Sequence, residues 1–522
     1  MGNLVGRQIE RILDEDKGRV HSVIVQLKDE NAENRRIIDI GVEALQRRNL
    51  VASARELVPP RADLVRKSEN RTRREQEKLR ATVESMTSLV TLSNLVEVAV
   101  AVARGNSVGA LSAVMASVLV KGAIDAARRR RRKTSTGGGL PAGFSQFWSS
   151  RSALLQLRTS DLQRLPQDLP NVSAVFPNRT VRTPPIMEVT HETDGARDLT
   201  GSSWGIEKTG ALAAWGAYGT RGKSGSGPVK IAVLDTGVDV THPELEGKIS
   251  DWAEFDENGG QVENSDPHDS DKHGTHVCGT IAGGSSKSPS EEPWIGMAPD
   301  AVLAVGMVLK GRSGTYAQIL AGMDWAIESG ASAINMSLGA TSFESDVFDV
   351  YTNAILRANR LGIPVVVSIG NEGAQTTGSP GNDFFALAVG ATDPNDQAAG
   401  FSGGRTLILK ESEFVPEEHL PLVFSKPDMS APGVAIRSCV PSGQYAVLNG
   451  TSMAAPHVAG GIALLLAATD IGTIPAHRRA FVLQDILISS VDELGETGQD
   501  HRFGFGRMNI LRAITMAKQR GY

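Results

Sequence analysis

The chain has 522 residues, of which 40% are apolar and 22% are charged, and its formal net charge is −5. This length exceeds one ordinary domain, so a large unit of catalytic size with a smaller companion is expected. Only two cysteines, Cys278 and Cys439, occur, which excludes a disulfide-dense secreted scaffold and favours two free thiols over a single bridge.

Charge is unevenly distributed along the chain. The residues up to Lys133 include 26 basic and 17 acidic side chains, whereas the remainder has 28 basic and 42 acidic ones. The opposite net charges of the two parts favour their association within one molecule.

The amino-terminal stretch MGNLVGRQIERILDEDKGRV has neither the apolar run nor the small-residue cleavage site of a secretory signal. A cytoplasmic protein is expected, or a secreted one if a signal has been removed.

Charged and polar residues interrupt the apolar stretch 95–120, which indicates a packed helix. A membrane-surface helix beside the basic run 128–133 is the alternative. That run lacks interleaved aromatics, so no nucleic-acid partner is expected.

Four segments precede Trp204, where the larger part of the chain begins. Residues 19–29 have the β-branched density of a strand, and about a hundred residues of helical character follow. Gly, Ser and Thr then make residues 133–143 a flexible connector. From residue 151 the pattern indicates a strand, a short helix and another strand.

From Trp204 onward, near-continuous apolar runs alternate with amphipathic helices, including segments 316–330 and 343–361. Such runs are typical of parallel strands that are covered on both faces. The predicted fold is therefore α/β, a doubly wound parallel sheet with helices on both faces. The five predicted strands are 229–235, 300–309, 332–339, 363–371 and 384–392.

Polar residues follow several of these strands, where ligands bind in such sheets. Asp235 ends one predicted strand, Asn371 ends another in a glycine-flanked turn, and His273 opens a predicted helix. Ser452, in GTSMAAPHVAGG, lies in the first turn of a helix, where free N–H groups face outward. Pro456 has no N–H for the Ser452 carbonyl, so the start of that helix is expected to be loosened.

The order Asp, His, Ser, with Asn before Ser, resembles the subtilisin-like serine proteases. The resemblance covers about Trp204 to the carboxyl terminus and rests on the motifs DTGVD, HGTHVCGT and GTSMAAPH. It implies a serine endopeptidase in which Asp235 orients His273 and His273 deprotonates Ser452. The Asn371 side chain and the Ser452 N–H would form the oxyanion hole.

The same resemblance implies where a peptide substrate binds. Residues 337–340 would wall the specificity pocket and pair with the substrate backbone. Gly378 resembles the position at the floor of that pocket, which suggests a large apolar residue before the scissile bond. The predicted substrate-binding residues are Ser337, Leu338, Gly339, Gly370 and Gly378.

Other chemistries fit the sequence less well. An aspartic protease needs a second DTG or DSG sequence, which the chain lacks. A second alternative is a metal site, with ligands from His268, Asp269, Asp271, His273 and His276, but the HExxH motif is absent. We favour a solvated acidic loop at residues 266–271, and we interpret His276 and His457 as histidines packed in the core. Cys278 is interpreted as a small core residue, with a redox switch as the alternative.

No metal is assigned to the site and no cofactor is expected to be required. Family members often bind calcium, and Glu244 stands where the family often has an aspartate ligand. The loop 283–296, GGSSKSPSEEPWIG, carries no recognisable ligand pattern.

Parts of the amino-terminal region resemble the propeptide of this family, an α+β unit that inhibits the catalytic domain in cis. The resemblance implies an autoinhibited zymogen with a large helical insert, acting on protein or peptide substrates. An unrelated helical amino-terminal domain is one alternative, and a catalytically silent or partner-activated binding or sensor protein of the same fold is another. The predicted divisions are 1–29 helix and first propeptide strand, 30–133 helical insert, 134–150 flexible linker, 151–185 rest of the inhibitor domain, 186–203 linker with the maturation site, and 204–522 catalytic domain.

Overall fold

The computed structural model describes residues 2–27, 145–168, 172–188, 203–284, 294–342, 350–410 and 420–522. The predicted helical insert and most of both predicted linkers lie outside these residues. The described residues form two compact units. The first contains residues 2–27, 145–146 and 151–178, and the second contains residues 147–150, 179–188 and those from 203 onward.

The first unit is a four-stranded sheet covered by two helices. Its elements are α1 (Gly2–Glu15), β1 (Val20–Leu27), β2 (Ser145–Phe147), β3 (Ser152–Arg158), α2 (Thr159–Asp168) and β4 (Val172–Pro177). The strand order is β2-β3-β1-β4, and β1 runs antiparallel to both β3 and β4. Val5, Ile9 and Ile12 recur at helical spacing on α1 and pack in one buried cluster with Leu162 and Val23.

The second unit is built on a seven-stranded sheet in the order β10-β11-β9-β13-β15-β17-β20, with every pair of neighbours parallel. Apart from the edge strand β10, residues of these strands are almost all buried, because helices flank the sheet. The predicted α/β fold with a parallel sheet is therefore confirmed. The strands are β9 (Lys230–Asp235), β10 (Ile249–Glu254), β11 (Val302–Met307), β13 (Ala333–Met336), β15 (Val365–Ser368), β17 (Leu387–Thr392) and β20 (Met429–Pro432).

Eight α-helices are described in this unit. The two that matter most for the site, α5 and α8, pack against each other and against the sheet in the largest buried cluster. The helices are α3 (Trp204–Lys208), α4 (Ala211–Tyr218), α5 (His273–Ala282), α6 (Tyr316–Glu328), α7 (Thr352–Arg360), α8 (Thr451–Ala468), α9 (Ala476–Ser489) and α10 (Ile510–Gln519). A short 3-10 helix, Asp470–Thr473, links α8 to α9.

Short strands pair outside the main sheet. They form the antiparallel pairs β5–β12, β7–β8, β14–β16 and β18–β19, and the three-stranded sheet β21-β22-β6. Their bounds are β5 (Thr180–Arg182), β6 (Met187–Glu188), β7 (Lys223–Ser224), β8 (Gly227–Pro228), β12 (Ser313–Thr315), β14 (Ala340–Ser342), β16 (Thr377–Ser379), β18 (Arg405–Leu409), β19 (Leu422–Lys426), β21 (Ile436–Val440) and β22 (Gln444–Asn449).

One helix in the described part of the chain, α8, is long and apolar enough to cross a membrane by length and composition alone. Within the protein, 89% of its residues are buried, and it packs against five strands of the main sheet. Its apolar character is therefore that of a core helix.

Candidate active site

Asp235 and His273 meet at the carboxyl end of the central strand β9. Gly237 has φ of 113°, and this left-handed conformation turns the chain sharply just after the carboxylate. His273 Nδ1 lies 2.7 Å from Asp235 Oδ1, which also accepts a 2.7 Å bond from the Thr236 N–H. Both side chains are fully buried, so the imidazole has a fixed orientation.

Electrostatics favour a charged His273. Burial by itself lowers the pKa of His273, but the charge and hydrogen bond of Asp235, together with the charges of Asp271 and Asp269, outweigh burial and raise that pKa above the ordinary 6.5. A proton accepted at Nε2 would therefore be stabilised. Within the described residues, His273 Nε2 has no hydrogen-bond partner.

Ser452 is the second residue of α8 and is buried. Its Oγ donates to the Ser337 carbonyl at 3.3 Å and makes no hydrogen bond to His273 in this structure. The Ser337 hydroxyl in turn donates to the Ser452 carbonyl at 3.0 Å, the acceptor that Pro456 leaves without an intrahelical donor. The predicted loosening of the helix start is therefore compensated by Ser337.

Asn371 lies in a turn after β15, where Gly370 has φ of 113°. Its Oδ1 accepts from the Thr451 N–H at 2.9 Å and from Thr451 Oγ1 at 2.8 Å. Its Nδ2 donates to the Pro185 carbonyl at 2.8 Å. The amide thus faces a main-chain carbonyl, in the manner required of an oxyanion-hole donor.

The predicted pocket residues lie together around glycines. Leu338 is fully buried, and β14 pairs with β16 so that Thr341 lies opposite Gly378. A Cβ on Gly378 would lie 3.1 Å from the Ile369 carbonyl oxygen and 3.7 Å from the Gly370 Cα, and a Cβ on Gly339 would lie 3.7 Å from the Gly378 Cα. Main-chain atoms, and not side chains, therefore line the predicted pocket around Gly339, Gly370 and Gly378.

Residues 179–188, which we call the strap, extend across these residues. β5 pairs antiparallel with β12, Arg182 bridges to Gly339, and β6 pairs antiparallel with β22. Pro184, Pro185 and Ile186 lie between the two paired stretches, and the Pro185 carbonyl faces Asn371. A Cβ on Gly450 would approach Ile186 Cγ2 to 3.2 Å, so the strap packs closely on the start of α8.

The remaining histidines and cysteines next to the site are packed in the core. Burial lowers the pKa of His276 to about 3 and that of His457 to about 4, so both are neutral near pH 7. His276 Nε2 lies 3.0 Å from the Ile436 carbonyl, and His457 Nδ1 lies 2.8 Å from that of Met453. Cys278 and Cys439 are free and buried, as predicted.

The interpretation of residues 266–271 as a solvated loop is wrong for Asp269. Its carboxylate accepts hydrogen bonds from Thr236 Oγ1 at 2.7 Å and from the Thr275 N–H at 2.8 Å. It therefore caps a free N–H in the first turn of α5 and ties that helix to the turn after Asp235. An acidic residue just before a predicted helix was the signal in the sequence for this role.

In the described part of the chain, no group of three or more His, Cys, Asp or Glu side chains could hold a metal ion. Glu244 is buried, and its Oε1 accepts from the Tyr445 hydroxyl at 2.9 Å. Its other oxygen has no partner among the described residues. Residues 285–293 of the loop considered for calcium lie outside them.

Three residues at the site were not singled out from the sequence: Thr451, which holds Asn371, and Arg312 and Lys272, which contact the strap. All three act through contacts with residues distant in the chain. Thr451 adjoins Ser452, and this adjacency is the one sequence signal that any of the three offered.

The larger part of the chain is similar in sequence to known proteins. Residues 226–506 match the model of the Subtilase family. A thermophilic serine proteinase from Bacillus sp. (strain AK1) is 35% identical over 316 residues, which cover 60% of this chain and 67% of the relative. Subtilisin NAT from Bacillus subtilis subsp. natto is 37% identical over 57% of this chain and 68% of its own, and Subtilisin Savinase from Lederbergia lenta is 38% identical over 50% and 83%.

Proposed function

The chain belongs to the subtilase family and is a serine endopeptidase, and we propose that Asp235, His273, Ser452 and Asn371 carry out the peptide-bond cleavage. His273 takes the proton from Ser452 Oγ as the oxygen attacks a substrate carbonyl, and gives it to the leaving amide nitrogen as the C–N bond breaks. Water then attacks the acyl-enzyme, with His273 again as the base, and releases the carboxylic acid and free Ser452. Asp235 holds the imidazole in the required tautomer and stabilises the imidazolium that forms. Asn371 Nδ2 and the Ser452 N–H stabilise the developing oxyanion.

The observation that carries this proposal is the 2.8 Å hydrogen bond from Asn371 Nδ2 to the carbonyl of Pro185. It is the contact that an oxyanion donor would make with a bound peptide. The 2.7 Å approach of His273 to Asp235 supports the role of His273 as the base. Ser452 Oγ donates to the Ser337 carbonyl in this structure, and the proposed mechanism requires that it turn to His273 when substrate binds. Hydrogen bonds at catalytic sites are often long or poorly aligned without substrate and tighten only when it binds.

We also propose that the protein is made as a zymogen and that the strap blocks the cleft until it is displaced or cut. Antiparallel pairing on both sides of Pro185 supports this proposal. The bond that follows the Pro185 carbonyl, Pro185–Ile186, is preceded by two prolines, each of which has a fixed φ and no N–H, so this sequence fits a cleavage site poorly. A helical insert at 30–133 would be the regulatory element. No cofactor is needed for the proposed chemistry.

The test compares wild type with Ser452→Ala. Wild type is expected to react with a fluorophosphonate probe and to show amino-terminal processing over time, and the variant is expected to do neither. Equal labelling and processing of the two proteins would refute the assignment of Ser452. Loss of activity to a chelator alone, with Ser452→Ala still active, would support metal catalysis instead.

A catalytically silent binding protein is the competing function. It predicts no probe labelling of wild type, and none of the variants described below in which substitutions weaken the strap. Intact chemical groups at all four positions favour the enzyme.

A further inference from the structure

Two cationic side chains of the cleft contact the strap on opposite sides of the Pro185 carbonyl. Arg312 Nε donates to Thr183 Oγ1 at 2.8 Å, and Arg312 Nη2 donates to the Pro184 carbonyl at 3.0 Å. On the other side, Lys272 Nζ forms an ion pair with Glu188 Oε2. Glu188 is the third residue after Pro185, and Thr183 is the second before it.

Both cations bond only to the strap through their side chains, as far as the described residues show. Neither side chain supports the fold of its own segment. Arg312 adjoins β12 and Lys272 directly precedes α5, so each is positioned by a rigid element next to the reacting groups. Side chains with this placement are typical of those that recognise a ligand.

The two contacts differ in strength. Thr183 is only 5% exposed, so its hydroxyl bonds to the charged Arg312 side chain in place of water. Loss of this buried, charge-assisted hydrogen bond should weaken the binding of the strap. The Lys272–Glu188 pair is 37% and 51% exposed, so solvent screens it and its contribution is small. The contact of Arg312 with the threonine hydroxyl should therefore discriminate between peptide sequences more strongly than the Lys272–Glu188 ion pair.

Building on the proposed function, we propose that Arg312 and Lys272 determine sequence specificity, both for the strap and for polypeptide substrates. The favoured class is an extended polypeptide with Thr or Ser two residues before the carbonyl that Asn371 binds. It carries Glu or Asp three residues after that carbonyl. The strap would then be a copy of the preferred substrate in which two prolines, Pro184 and Pro185, directly precede the bond at the position of cleavage, Pro185–Ile186.

The first experiment uses strap variants of the full chain and measures the rate at which a small fluorophosphonate labels Ser452. Thr183→Val keeps the shape of threonine and removes the hydroxyl, so it should weaken the strap and raise the rate about fivefold. Thr183→Ser keeps the hydroxyl and is the matched control, with a rate near that of wild type. In an Arg312→Ala background, Thr183→Val should have no further effect.

The ion pair is tested by charge exchange. Glu188→Lys and Lys272→Glu, each alone, place like charges together and should raise the labelling rate about two- to threefold. The double variant restores an opposite pair and should return the rate toward that of wild type. Additive effects of the two substitutions would show that the contact has no role in recognition.

The second experiment measures kcat/KM of the full-length proteins on nine-residue peptides copied from residues 180–188, with the two prolines replaced by Ala and Leu. One peptide keeps the threonine before this pair and its partner has valine; another pair has glutamate or glutamine at the last position. Wild type should prefer threonine about fivefold and glutamate about twofold. Arg312→Ala should abolish the first preference and Lys272→Gln the second.

The outcomes separate this inference from the proposed function. If no protein labels at Ser452 or cleaves any peptide, the proposed function fails. If all proteins label and cleave but show the same rates and no preference, the proposed catalysis stands and the specificity inference is overturned. Loss of the threonine preference in Arg312→Ala but not in Lys272→Gln would assign each contact to its own position.

Discussion

At the scale of single residues, the hydrogen bonds around Asn371 settle which way its amide faces. The Thr451 backbone N–H can only donate, so the atom 2.9 Å from it must be the amide oxygen. The NH₂ group is then left to face the Pro185 carbonyl. Thr451 Oγ1, which also bonds to Asn371 Oδ1, acts as a positioning residue for this donor.

Substitution Asn371→Ala should lower kcat about 10²–10³-fold with little change in KM, a magnitude known from an oxyanion-hole variant of subtilisin, a relative of this protein. Thr451→Val should cause a smaller loss, because Asn371 keeps its backbone anchor, and Thr451→Ser should be close to wild type. Steady-state kinetics on one peptide substrate measures all three. An unchanged kcat in Asn371→Ala would exclude this residue from the oxyanion hole.

The pH dependence of activity should follow the protonation of His273. A general base must be neutral, and the pKa of His273 is raised by Asp235 despite burial. Activity should therefore fall as pH decreases through a value above the ordinary histidine pKa of 6.5. Asp235→Asn should move this limb of the kcat/KM profile to lower pH and reduce kcat. An acid limb that stays in place in Asp235→Asn would contradict the coupling.

At the scale of elements, the start of α8 depends on a contact with Ser337, the residue that directly follows β13. Pro456 removes the donor that the Ser452 carbonyl would have within the helix, and Ser337 Oγ supplies one from outside at 3.0 Å. Ser452 Oγ returns a bond to the Ser337 carbonyl. These two hydrogen bonds hold Ser452, the proposed nucleophile, against the residue that follows β13.

This reciprocal contact predicts a compensating pair of variants. Ser337→Ala leaves the buried Ser452 carbonyl without a donor and should lower the free energy of unfolding by about 1–2 kcal/mol. In a Pro456→Ala background the helix supplies its own N–H, so the same substitution should cost less. Denaturant unfolding of the four proteins measures the coupling. Equal costs in both backgrounds would show that Ser337 does not replace the missing helical bond.

At the scale of the whole molecule, the two thiols report on the integrity of the second unit. Cys278 and Cys439 are fully buried in its largest hydrophobic cluster, and burial raises the pKa of each thiol above its ordinary range. Thiolate, the reactive form, is therefore scarce at both positions, and neither residue has the environment of a redox switch.

Titration with Ellman's reagent should find no rapidly reacting thiol in the native protein and two after unfolding in guanidinium chloride. Rates measured at low denaturant should follow the global unfolding equilibrium, because both sites open only when the core does. Rapid native labelling of one thiol together with loss of activity would support the redox alternative at Cys278.

The sequence by itself determined the parallel sheet and the placement of the catalytic candidates. Runs such as 229–235 and 363–371 are apolar because both faces of the strand are covered, and this pattern is local. Asp235 and Asn371 could be placed at carboxyl ends of strands for the same reason. The packed roles of His276, His457 and Cys278 followed from their small or apolar neighbours on two helices.

Only the tertiary structure decided how the strap crosses the site and which side chains recognise it. Thr183 and Arg312 are 129 positions apart, and no periodic pattern links them. The sequence predicted a solvated Asp269 because the two threonines that bond to its carboxylate, Thr236 and Thr275, lie in separate parts of the fold. Local periodicity records which face of an element is buried, whereas contacts between single polar groups depend on how whole elements pack, which the sequence does not display.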